Sequence, residues 1–207
     1  MRTKTELIFD MDGTLVDSSE LLANTINYVR KKIGLGAMDE EKILAALNDT
    51  SINPAEFYYG AEKFEPIHET YFQEYYLSRH HIESRLYDGM EPLLRKLSET
   101  RTLHVATNAY DVSALPLLEA LGIASLFHSV ICANQVPAPK PHPAMLETII
   151  DARKRPKTAF VMIGDGKRDA EAAHNAGIDA LLVEWGFSSH GAGAIDRIET
   201  LAEVLGV

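Results

Sequence analysis

Asp10 and Asp12 are the residues whose type and spacing most directly suggest chemistry. They lie in Asp10-Met11-Asp12-Gly13-Thr14-Leu15, immediately after the apolar run Leu7-Ile8-Phe9. In an extended chain, residues two apart project to the same side, so both carboxylates leave one strand end together. One such acid can attack an electrophile while the other moves a proton. Gly13 lets the backbone turn tightly behind them and offers amide groups to an anion. Thr107-Asn108 closes the run Leu103–Ala106; a hydroxyl and a carboxamide there can bond phosphate oxygens without adding negative charge. Lys140 sits in Val136-Pro-Ala-Pro-Lys-Pro-His-Pro143, where four prolines in eight residues stiffen the loop that presents its point charge. Asp165 and Asp169 follow Phe160–Ile163. With a helix starting near Lys167, Asp169 falls in its first turn and both acids approach one point.

Taken singly, each segment also reads as a turn, a helix cap or a solvated lysine. Together they occupy the places where loops at the carboxyl ends of parallel strands belong. Four carboxylates and one lysine make a net negative pocket that cannot hold phosphate unaided. A hard divalent ion resolves the conflict, and oxygen ligands beside phosphate favour Mg²⁺.

The elements that must position these residues are visible as short apolar runs. Glu6–Phe9, Leu103–Ala106, Val130–Ala133, Thr158–Ile163 and Asp179–Val183 show little alternation, as strands buried on both faces do. Between the later runs, Met90, Leu93, Leu94 and Leu97 keep helical spacing, as do Ala114, Leu117, Leu118 and Leu121. Leu146, Ile149 and Ile150 repeat it in shorter form. The alternation predicts an α/β fold: a doubly wound, Rossmann-like parallel-sheet core with ligands at its carboxyl edge. The interval between Asp10 and Thr102 is helical instead, with a stripe at Leu22, Ile26, Val29 and Ile33. A second helix is expected over Glu40–Leu47, a turn cluster over Asn48–Pro54 and a longer helix from about Pro66 to Ser84. Eight of the 16 aromatic residues fall between Phe57 and Tyr76, enough for a small separate core. Residues 16–85 are therefore expected to form an inserted small α-helical cap domain, and residues 1–15 and 86–207 the α/β core.

Composition narrows the partners. Of 207 residues, 46% are hydrophobic, and 20 Lys and Arg against 30 Asp and Glu leave a net charge of −10. A chain this acidic has no general field to draw nucleic acid or an anionic membrane. Cys132 is the single cysteine, which excludes an intrachain disulfide and fits a reducing compartment. The longest stretch without Asp, Glu, Lys or Arg, Ala120–Pro139, is broken by Gly122, Pro137 and Pro139 and suits no bilayer. The expectation is a cytoplasmic monomer or homodimer whose partner is a small anionic phosphomonoester.

In this order, Asp10-Met-Asp-Gly-Thr-Leu, Thr107-Asn108, Lys140 and Gly164-Asp165…Asp169 resemble the four motifs of the haloacid-dehalogenase-like superfamily of aspartate-nucleophile phosphatases. The resemblance spans essentially the whole chain. Lys-Pro-His-Pro143 and the tail Trp185-Gly-Phe-Ser-Ser-His-Gly191 are further similar to its phosphoglycolate phosphatase branch. It implies that Asp10 attacks phosphorus and that Asp12 protonates the leaving oxygen, then activates water. Thr107, Asn108, Lys140 and amides of the Gly13 turn would hold the phosphoryl oxygens. The resemblance assigns Mg²⁺ to the carboxylates of Asp10 and Asp165 and the carbonyl of Asp12, with Asp169 in or near the ligand set. Hydrolytic dehalogenases of similar fold usually lack the second acid, so Asp12 favours phosphate chemistry on a 2-phosphoglycolate-like or sugar-phosphate substrate.

Related caps often supply a glycine followed closely by an arginine, whereas Leu47-Asn-Asp-Thr-Ser-Ile-Asn-Pro54 has neither. Asn48, Ser51 and Asn53 of that segment read first as turn residues and second as contacts for a polar leaving group. A sugar-phosphate mutase shares all four core motifs and is the alternative; a non-catalytic phosphate-binding or signalling module is a further one. Among the histidines, His142 is expected to position Lys140, and His190 and the pair His80-His81 to lie at the surface.

Overall fold

Leu7, Ile8 and Phe9 have no accessible surface because β1 (Glu6–Phe9) lies between β4 (Thr102–Thr107) and β6 (Phe160–Gly164), parallel to both. Its middle position explains why it reads as an unbroken apolar run. The structure, a computed structural model, describes residues 1–49, 51–188, 190 and 193–207. β5 (Phe127–Cys132) pairs outside β4 and β7 (Asp179–Leu182) outside β6, giving the all-parallel order β5-β4-β1-β6-β7. All five expected strands are present. The third begins earlier than Val130, and Thr158 and Ala159 belong to a short 3₁₀ turn ahead of β6.

Helices cover both faces. Leu7 and Phe9 point into a core with α5 (Met90–Ser98), α6 (Asp111–Ala120) and α9 (Ile198–Leu205). Ile8 points the other way, into a core with α7 (Ala144–Arg153) and α8 (Lys167–Ala176). This is the doubly wound arrangement that the alternating runs predict.

The chain leaves the core through β2 (Val16–Asp17) and returns through β3 (Arg85–Leu86). These pair antiparallel, and Arg85 Nη2 lies 2.7 Å from Asp17 Oδ2. Between them lie α1 (Ser19–Lys32), α2 (Glu40–Leu47), α3 (Pro54–Tyr59) and α4 (Pro66–Arg79), an inserted helical cap. Ala23, Ile26, Val29, Ile43, Tyr58 and Tyr59 form its own apolar cluster. The expected turn at Asn48–Pro54 runs directly into α3. There the Asn53 side chain accepts from the N–H groups of Ala55 and Glu56, and Pro54 opens the helix. The long cap helix stops at Arg79, short of Ser84. No described helix is long and apolar enough to cross a membrane.

Candidate active site

The carboxyl edge of the sheet brings the acidic residues together. Asp10, held in line by its N–H to the Ile163 carbonyl at 2.8 Å, follows β1 directly. Lys140 is only 2% exposed, and its Nζ donates to Asp10 Oδ1 at 2.6 Å and to Asp169 Oδ1 at 2.7 Å. The other Asp169 oxygen accepts from Gly166 N–H at 3.1 Å, tying it to the start of α8. Asp165 has no accessible surface and no ammonium of its own; Oδ2 accepts from Phe187 N–H at 2.7 Å and from Asn48 Nδ2 at 3.0 Å. Asp12 stands apart from this group, accepting a 2.6 Å bond from the Ser18 hydroxyl at the head of α1.

The charge balance defines what the site needs. Burial raises the Asp10 pKa well above the carboxylate range, with Asp169 and Asp165 adding to the effect and Lys140 opposing it. Burial and then Asp169 push Asp165 up to about 7. Burial works against the Lys140 charge, yet the two carboxylates it touches outweigh that and hold its pKa above the ordinary value. Carboxylate oxygens of Asp10, Asp165 and Asp169 lie within 4.8 Å of one another. Three buried acids around one ammonium, all oxygen donors, fit a hard divalent cation. Asp12 is half-buried and lines the cavity under the cap; burial raises its pKa and so favours the protonated form that a general acid requires.

Small residues make room for this cluster. A Cβ on Gly13, whose φ is +83°, would meet Asp165 Oδ2 at 2.4 Å. On Gly186 it would meet the Asp165 side chain at 2.3 Å. Gly13 therefore serves a spatial role, and its expected phosphate contact needs correction: its N–H donates to the Val16 carbonyl at 2.8 Å. Among the described residues, the amides of Met11 and Asp12 have no protein partner and remain available in the same turn.

Asn108 also does more than expected. Its carboxamide clamps the Lys140 backbone through both Nδ2 to the carbonyl, 3.0 Å, and Oδ1 from the N–H, 2.9 Å. One Nδ2 proton remains for a ligand. The Thr107 oxygen accepts from Ala109 N–H at 3.0 Å, which leaves its hydroxyl proton to donate. His142, expected to position Lys140, instead accepts from Ala144 N–H at the start of α7. His190, expected at the surface, is half-buried, with Nε2 2.5 Å from the Asp165 carbonyl. Thr50 of the cap segment, and Ser189 and Gly191 of the tail, lie outside the described residues.

A cavity of about 440 Å³ separates the cap from this edge. Asp10, Asp12, Thr107, Asn108, Lys140 and Asp169 line its floor, and Asn48, Tyr76 and Arg168 are among the lining residues that the motifs did not identify. Arg168 stands beside Asp169 on α8 and donates through Nη2 to the Asp49 carbonyl at 2.7 Å, supplying from the core a guanidinium that the cap segment lacks. Its place in Gly-Lys-Arg-Asp169 was the available signal; Asn48 and Tyr76 reach the site only by tertiary approach.

The haloacid dehalogenase-like hydrolase profile matches residues 7–183. A phosphoglycolate phosphatase from Colwellia psychrerythraea is 32% identical over 91% of this chain and 88% of its own length. Its counterpart from Agrobacterium fabrum is 30% identical over 87% and 81%. A solved haloacid dehalogenase-like hydrolase from Streptococcus pneumoniae superposes with a TM-score of 0.82, at 25% identity, over 99% of this chain and 100% of its own. The chain belongs to the haloacid dehalogenase-like hydrolase family. Within that class it is a phosphatase, a phosphoric monoester hydrolase.

Proposed function

We propose that this chain hydrolyses a small phosphomonoester, with Mg²⁺, through a phospho-aspartyl intermediate on Asp10. Residues 16–85 act as the cap that closes over the ester. The observation that carries this reading is the buried Asp10–Lys140–Asp169 bridge with Asp165 alongside, lining one cavity together with Asp12. Asp10, Asp165 and the Asp12 carbonyl would hold the ion, with Asp169 beside them. When bound, Mg²⁺ offsets the excess acid charge and stabilises charge on the transferring phosphoryl group.

A carboxylate oxygen of Asp10 attacks phosphorus, and the bond from phosphorus to the ester oxygen breaks. Asp12, whose pKa burial raises, gives a proton to that oxygen, so the leaving group departs as an alcohol. Asp12 then takes a proton from water as it attacks phosphorus, releasing inorganic phosphate and restoring Asp10. Lys140 contributes a fixed positive charge to the phosphoryl oxygens, with the Thr107 hydroxyl, the free Asn108 proton and the Met11 and Asp12 amides as neutral donors.

The relatives' names put 2-phosphoglycolate on the first panel, beside sugar phosphates. Phosphate release is measured with and without Mg²⁺, for the wild type and Asp10→Asn. Metal-dependent release that the variant lacks is the expected result. Release that survives Asp10→Asn would overturn the covalent step. An isomerised ester in place of inorganic phosphate would point to a mutase.

A further inference from the structure

The floor and the roof of the cavity differ in chemistry. Polar and charged groups crowd the floor, whereas Leu22, Ile26, Tyr59, Phe64, Phe72 and Tyr76 of the cap face it from above. Away from the acid cluster, Arg168 and Glu69 are the permanently charged lining residues, and they carry opposite signs. Arg168 gives Nη2 to the Asp49 carbonyl, while its buried Nε has no partner among the described residues. His68 is 5% exposed, and its Nδ1 accepts from Glu65 N–H at 3.2 Å, so it is engaged in starting α4. The Tyr76 hydroxyl is buried beside Asp12 and has no partner among the described residues.

A glycolate leaving group would place its carboxylate against this roof, close to Asp12 and Asp10. Arg168 is the cation it would meet there, but Glu69 offsets that charge and Asp10 and Asp12 repel a second anion, so stripping water from the carboxylate is poorly repaid. It would also fill little of the space: about 440 Å³ lies in the range of cavities that enclose much larger molecules. An apolar ring gains from the same roof by leaving water and meeting aromatic edges.

Building on the hydrolase reading above, we propose that the cap selects a phosphomonoester whose leaving group is an apolar ring or branched chain, larger than two carbons and without negative charge. A single uncharged oxygen or nitrogen on that group would satisfy the Tyr76 hydroxyl. The compact acid named for the relatives is then a poor substrate for this chain.

The test uses three esters of primary alcohols, so that leaving-group reactivity is comparable: benzyl phosphate, 2-phosphoglycolate and glucose 6-phosphate. With Mg²⁺, kcat/KM for benzyl phosphate is expected to exceed the other two by about tenfold or more. Phe64→Asp, at a position 43% exposed that tolerates a polar side chain, is expected to cut the benzyl-to-glycolate ratio by about tenfold. Its circular dichroism melt reports that the variant is folded. Preference for 2-phosphoglycolate, lost in Arg168→Gln, would overturn the inference and make Arg168 the carboxylate reader. A ratio indifferent to Phe64→Asp would overturn it as well.

Binding separates this inference from the hydrolytic reading. Calorimetry compares 2-phenylethylphosphonate with 3-phosphonopropionate, neither of which can be hydrolysed. Tighter binding of the ring compound without turnover of any ester would uphold the selection and sink the hydrolase mechanism. Equal binding, or a preference for the carboxylate, would sink the selection.

Discussion

β1 carries a buried carboxylate at its first residue and another directly after its last, and the two meet opposite fates. Glu6, 2% exposed, receives Arg153 Nε at 2.8 Å and Nη2 at 3.0 Å, with His104 Nε2 at 3.0 Å. Burial pushes its pKa up, but Arg153 and His104 more than offset that, and it ends below its ordinary value. Asp10 shares one ammonium with Asp169, has Asp165 beside it, and ends well above its ordinary value. Both are nearly closed to solvent, but burial weighs more heavily on Asp10 and counter-charge is scarcer there. The balanced end is satisfied by protein groups alone, whereas the unbalanced end keeps an excess of acid that fits a cation.

The largest expected effect breaks the unbalanced end. Asp10→Asn should lower phosphate release by at least about 10⁴-fold. Removing one of three crowded acids should leave the metal-free melting temperature no lower, as calorimetry would show. Asp12→Asn follows, with kcat reduced by about 10²- to 10⁴-fold, because it removes proton transfer and leaves the nucleophile. At the balanced end the outcome reverses. Glu6→Gln should cost about 1–2 kcal/mol in denaturant unfolding, because it removes the charge that Arg153 pairs with and one of the acceptors, while kcat per folded molecule stays unchanged.

Acidity sharpens the contrast further. The folded chain keeps a proton on Asp165 up to about 7, while the unfolded chain releases it near 3.8. Metal-free protein should therefore lose stability as pH rises between those values, and Asp165→Asn should flatten that slope. Mg²⁺ should raise the melting temperature more at pH 8 than at pH 5. Glu6 works in the opposite direction, since its depressed pKa adds stability that is lost as pH falls through the folded value. The smallest effect concerns the bridge between cap and core: Asn48→Ala removes the bond to Asp165 and should raise KM by about fivefold.

Much of this was legible in the sequence because parallel strands are local signals and the site hangs on their ends. Leu7–Phe9 announces a central strand, and Asp10, Thr107 and Asp165 come directly off such runs. Lys140 was legible only through its prolines; the clamp from Asn108 depends on two loops 32 residues apart coming together. Asn48 meets Asp165 across 117 residues of chain, so no local pattern could pair them. α3 is not legible locally because Asn53 and Pro54, which begin the helix, are equally good turn residues. A glycine turn promises free N–H groups, whereas the Gly13 amide closes on the Val16 carbonyl, a pairing no local pattern shows.

The β2–β3 ribbon has an engineering consequence. Because Val16 and Asp17 pair antiparallel with Leu86 and Arg85, the chain leaves and re-enters the core at one doorway. Two antiparallel strands so placed are what a short hairpin turn joins. The residues between them can thus be cut out and the ends closed by such a turn, or a roof from another protein grafted in, without rethreading the five-stranded sheet. The scaffold is wired as a socket into which a different roof can be plugged.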